Sequence, residues 1–120
     1  MGKDMSKVYV VQESKRVHKD AAGQVVSVTP VFNYTPALAY GEIEFCLPYG
    51  NSRFSPRQTV EDLKHALKDF TEDDYILPTG DPAVIGVAMA IAFKQCRGKL
   101  KVLKWQKEER EYLELQYCIN

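Results

Sequence analysis

The stretch Asp74–Trp105, DYILPTGDPAVIGVAMAIAFKQCRGKLKVLKW, decides the fold. Tyr75-Ile76-Leu77 is a short apolar strand, and Pro78-Thr79-Gly80 turns the chain. Asp81-Pro82 then opens a helix. An aspartate at the N-cap accepts a free backbone N–H, and proline suits the first helical position, where no donor is required. The helix is expected to run to about Arg97, with Gly98 as its left-handed stop. Leu100 to Trp105 returns as a strand. Strand, helix and strand in about thirty residues make a βαβ unit with parallel strands and a right-handed crossover.

Working outward, Tyr112 to Ile119 alternates Leu113, Leu115, Tyr117 and Ile119 with Tyr112, Glu114, Gln116 and Cys118. That period of two predicts a strand joined to the one before it as a C-terminal hairpin. A helix through Trp105, Glu109, Tyr112 and Leu113 is the competing reading. Upstream, Lys7 to Glu13 is β-branched and aromatic and reads as a strand. Ser14 to Gln24 reads as an exposed loop. Val25 to Tyr34 is β-rich, but Pro30 confines it to an edge or an interrupted strand. From Ala39 to Leu47, Ile43, Phe45 and Leu47 alternate with Glu42, Glu44 and Cys46, the pattern of a half-buried strand. Pro48 to Gln58 reads as a loop. A helix follows, with Thr59 expected as its N-cap and Val60, Leu63, Ala66, Leu67 and Phe70 forming its apolar stripe. The chain is thus expected to be one α/β domain over residues 1–120, with residues 1–6 outside its ordered part. It should have a mixed sheet of about five to six strands and two helices.

The helix from Pro82 to Arg97 is apolar nearly all round, so either the first helix or a second subunit should cover its outer side. A homodimer or larger assembly through this helix is the corresponding expectation.

Composition narrows the class. With 120 residues, 45% hydrophobic, there is room for one core, and a formal net charge of zero gives no overall pull toward nucleic acid or membrane. Charge is unevenly spread. Six basic residues and no acids fall between Lys94 and Lys107, and seven acids fall between Thr59 and Asp81. A basic edge and an acidic edge are expected. Cys46, Cys96 and Cys118 are odd in number and widely spaced, which favours a reducing cytosol. The apolar run Ala83 to Phe93 is short of the roughly 20 residues a membrane span requires.

No motif identifies a reaction. Thr79-Gly80-Asp81 lies at a strand end and a helix N-terminus, where α/β proteins bind anions, but it lacks the glycines and lysine of a phosphate loop. Asp81 itself should satisfy the free N–H groups. His18 and His65 have no ligand-like neighbours, so neither a metal nor a cofactor is expected. The loop Tyr49 to Gln58 interleaves Tyr49 and Phe54 with Arg53 and Arg57, residue types that stack and pair with phosphates or carboxylates. Lys99, Lys101 and Lys104 would extend that surface if their strand lies nearby.

The segment DYILPTGDPAVIGVAMAIA, the following KVLKW and a later Tyr resemble a family of small proteins of tailed bacteriophages. KVYVVQE and ALAYGEIEFCLP resemble it too, and the similarity covers most of Lys7–Leu115 except Val17 to Tyr34. The resemblance implies a viral accessory protein acting in a bacterial cytoplasm, and implies no reaction. The leading expectation is a non-catalytic phage accessory protein that binds nucleic acid or a host protein. The alternatives are a small nucleotide- or phosphate-binding enzyme using the Gly80-Asp81 helix end, or a structural or assembly protein.

Overall fold

The computed structural model describes residues 6–30, 32–47 and 55–120. In chain order the elements are β1 (Lys7–Gln12), β2 (Lys15–Lys19), β3 (Val25–Pro30), a 3-10 turn (Thr35–Ala39), β4 (Glu42–Leu47), α1 (Pro56–Ala66), β5 (Tyr75–Leu77), α2 (Pro82–Gln95), β6 (Lys99–Gln106) and β7 (Glu111–Cys118). Five strands form one sheet in the order β4-β1-β5-β6-β7, and β2 and β3 form a separate two-stranded sheet. β1 is parallel to both β4 and β5, and β5 is parallel to β6. β7 returns antiparallel to β6 and closes the C-terminal hairpin. The protein is mixed α/β, with the βαβ unit formed by β5, α2 and β6.

The sheet has two buried faces because side chains alternate along each strand. On one face, Tyr9, Val11, Leu47, Ile76, Leu100 and Val102 pack under α1 and α2, which contribute Leu63, Leu67, Val84, Ala88 and Ala92. On the other, Val8, Val10, Tyr75, Leu77, Leu103 and Tyr112 pack against Ala37 of the 3-10 turn, with Tyr34, Tyr40 and Ile43 beside them. This two-sided burial corrects the reading of β4. Phe45 is 39% exposed, whereas Cys46, expected on the polar side, is buried beneath the helices.

Helix ends account for two further differences. α1 is capped by Ser55, whose hydroxyl accepts from Gln58 N–H at 3.3 Å, and Pro56 occupies the first turn. Thr59, the expected cap, lies one turn inside and is buried, its hydroxyl donating to Ser55 O at 3.0 Å. Pro56 to Gln58 are therefore helical rather than loop. α2 stops at Gln95, earlier than expected, because Arg97 takes the left-handed conformation (φ 56°) as well as Gly98 (φ 85°). Gly98 N–H then donates to Phe93 O at 2.7 Å, closing the helix. A side chain at Gly98 would collide with Asn120, whose Nδ2 donates to Arg97 O.

α1 covers one flank of α2, and Gln95 Nε2 fastens them by donating to Leu67 O and Phe70 O at 2.7 Å each. The opposite flank stays open. There Met89 and Phe93 line a groove of about 420 Å³ with Val102, Leu115, Tyr117 and Ile119. No helix among the described residues is long and apolar enough to cross a membrane.

Candidate interaction surface

The carboxyl ends of β1 and β5 are where a parallel sheet presents its ligand site. Here that region is filled from within. Asp81 Oδ1 accepts from Ala83 N–H at 2.8 Å and Val84 N–H at 3.4 Å. Gln12 Oε1 accepts from Asp81 N–H at 2.9 Å, Gln12 N–H donates to Thr79 O at 3.1 Å, and the Thr79 hydroxyl donates to Gln12 O at 3.0 Å. Gly80 turns at φ +112°, with the Gln12 side chain where a Cβ would sit. The donors at this helix start are therefore already engaged by Asp81, as the capping reading anticipates.

Of the three free cysteines, Cys46 and Cys96 are buried and Cys118 is exposed on β7. Burial pushes the Cys46 thiol up to about 12, so the reactive thiolate is suppressed, and burial also raises Cys96. His18 is exposed and its Nε2 lies 3.0 Å from the Thr29 hydroxyl. Among the described residues no group of three or more His, Cys, Asp or Glu could hold a metal ion.

The proposed binding residues do not all meet. Tyr49, Arg53 and Phe54 lie outside the described residues. Arg57 is exposed in the first turn of α1, which follows the carboxyl end of β4, whereas Lys99 opens β6 at its amino end. The β6 lysines split between faces. Lys101 sits on the Tyr75 side of the sheet, its Nζ 4.7 Å from that ring's centroid. Lys99 lies on the same face two residues away, while Lys104 lines the α2 side with Met89 and Phe93. No single basic edge results. The Lys99 and Lys101 face is mixed in sign, since Glu72 and Asp73 line the same groove of about 490 Å³. Burial, followed by the hydrogen bond to Glu114 at 3.0 Å, pushes the Tyr75 hydroxyl up to about 12.

The surface missed from sequence is the β2–β3 hairpin. Ser14 to Gln24 read as loop because it is polar, yet Lys15–Lys19 pairs antiparallel with Val25–Pro30. Its turn is built by Asp20, whose Oδ1 accepts from Ala22 N–H at 2.9 Å and Gln24 N–H at 3.0 Å, with Gly23 at φ +83°. Every residue from 16 to 29 is exposed. The radius of gyration, 15.5 Å, exceeds the roughly 13–14 Å of a compact chain this long, and the longest extent is 55 Å. The hairpin is an arm.

Val17 pairs with Val28, and Val26 falls where the ladder slips by one residue, between the His18–Ser27 and Lys19–Val25 pairs. These valines are 37%, 41% and 63% exposed, in that order of naming. Arg16 and His18 occupy the other face, opposite Thr29 and Ser27. At the root of the arm, Phe32, Tyr34, Leu38, Ile43 and Phe45 line an open groove of about 710 Å³. The sequence signal was present in the turn Asp20-Ala21-Ala22-Gly23 before the β-branched run that begins at Val25.

Residues 6–119 match the family model described as Phage Pam3 gp32-like protein. No curated protein and no solved structure matches the chain.

Proposed function

The chain belongs to the Phage Pam3 gp32-like protein family, and from that premise we propose that it is a non-catalytic phage accessory protein that binds another protein in the host cytoplasm. The β2–β3 arm is the docking element. The observation that carries this reading is the cluster of exposed valines, Val17, Val26 and Val28, on a two-stranded ribbon. Such a ribbon is marginal alone and gains stability when its apolar face is covered. Arg16 and His18 on the reverse face and Lys19 next to the turn make the arm cationic, against the single acid Asp20 at the tip. The complementary partner surface is apolar with an acidic rim. The splitting of Lys99 and Lys101 from Lys104 across two faces argues against a phosphate-tracking surface on β6.

The test is affinity capture from infected cells with and without nuclease, using the native chain and a variant with Val26→Lys and Val28→Lys. The expected result is a discrete protein partner that survives nuclease and is lost in the variant, whose circular dichroism is unchanged. Capture that nuclease abolishes would assign the arm to nucleic acid. Capture indifferent to the valines would remove the arm from the function.

A further inference from the structure

We propose that β7 is a homodimer edge, pairing antiparallel with β7 of a second copy about a two-fold axis at Gln116. β7 ends the sheet, and it carries no described partner on its outer side. Its sequence, Glu111–Cys118, contains no lysine, proline or glycine, and its register with β6 runs without a bulge. Those are the usual devices that blunt an edge, and their absence leaves a ready template.

The hydrogen-bonding phase identifies the groups on offer. Ile119 N–H donates to Gly98 O at 2.9 Å, across the β6–β7 ladder. Alternation then turns the backbone groups of Tyr112, Glu114, Gln116 and Cys118 outward. The Tyr112 carbonyl is already an acceptor for the Tyr40 hydroxyl at 2.9 Å. The open run is therefore Glu114 to Cys118, whose centre is Gln116. A two-fold axis there places each Glu114 opposite Cys118 of the other copy, not opposite another glutamate. On the α2 side it sets Leu115 opposite Tyr117 and Leu113 opposite Ile119. Leu113, Tyr117 and Ile119 are 45%, 47% and 67% exposed in the single chain, so this pairing covers the apolar residues that the fold leaves bare.

An isologous contact of this kind is self-complementary and closes at two copies.

Light scattering over a concentration series tests the proposal, with a dimer at twice the 13.7 kDa chain mass expected. Gln116→Pro removes only an outward N–H, so it should yield a folded monomer. A second variant, Ile119→Lys, sets a cation into the exposed apolar row at the seam and should dissociate at least about tenfold more readily with the fold retained. A native chain that stays monomeric at high concentration overturns the proposal. So does a dimer unaffected by Gln116→Pro and Ile119→Lys. None of these outcomes depends on the arm.

Discussion

The backbone N–H of Lys7 donates to Oδ1 of Asp74 at 2.8 Å, joining the first residue of β1 to the residue before β5. The other carboxylate oxygen accepts from Thr71 N–H at 2.8 Å and the Thr71 hydroxyl at 3.2 Å, and the side chain is fully buried. Asp74→Ala removes the buried acceptor that these donors share. We expect a loss of about 1.5–3 kcal/mol, measured by urea unfolding, since buried bonds to a charged acceptor are the stronger kind. A loss below the error of the measurement would contradict the assignment of Asp74 as the tie between the two strands.

At the start of α2, Asp81→Ala should cost about 1 kcal/mol and leave partner binding unchanged, because the carboxylate only caps the helix. Gly80→Ala should be worse than a cap deletion. Its φ of +112° disfavours any side chain, and the new Cβ would displace Gln12 from Asp81 N–H. A loss of more than about 1 kcal/mol is expected in thermal unfolding. A variant at Asp81 that keeps its stability yet loses binding would reassign that residue to function.

Alkaline pH should unfold the protein ahead of backbone chemistry. Burial pushes the Tyr9 and Tyr75 hydroxyls from their ordinary 10.0 up to about 12. Below pH 10 both states are protonated and the shift has no effect on stability. Between pH 10 and 12 the unfolded chain releases these protons and the folded chain retains them, so stability falls as pH rises. Cys46, raised from 9.0 to about 12, adds to the fall from pH 9 upward. Urea midpoints should drop across this window, and Tyr9→Phe should shallow the slope. A flat profile from pH 9 to 12 contradicts the burial of these groups.

For the β6 lysines, Lys99→Gln with Lys101→Gln and, separately, Lys104→Gln should leave capture of the protein partner intact. Anisotropy titrations of single-stranded and duplex oligonucleotides at two salt concentrations give the complementary reading. Binding that falls with a log–log slope near −0.7 to −0.9 per contact, and flattens in the lysine variants, would return the function to nucleic acid.

The βαβ unit and the C-terminal hairpin were legible because their punctuation is local. Asp81-Pro82 and Gly98 mark helix ends, and strict alternation marks β7. The start of α1 was misplaced although Ser55-Pro56 is itself a cap signal; Thr59 with Asp62 imitated one a turn later. The arm was half lost because its strands are solvated on both sides, so β2 lacks the apolar alternation that burial imposes. The division of the lysines could have been read from their numbers, since 99 and 101 share a parity that 104 does not. Which face of β7 would be left bare could not. That depends on Ala37 and Tyr40 reaching the Tyr112 side from a distant turn.

The place of β1 in the sheet also sets the order in which the chain can fold during translation. β1 leaves the ribosome before both of its neighbours, β4 and β5, and the second arrives only with Tyr75. Until then Val8 and Val10 have a partner on one side alone, and Lys7 N–H has no Asp74 to meet. Long-range parallel pairing of this sort forms late and slowly. A nascent chain that stalls between Leu47 and Asp74 therefore holds β1, an interior strand of the finished sheet, with one edge still unpaired.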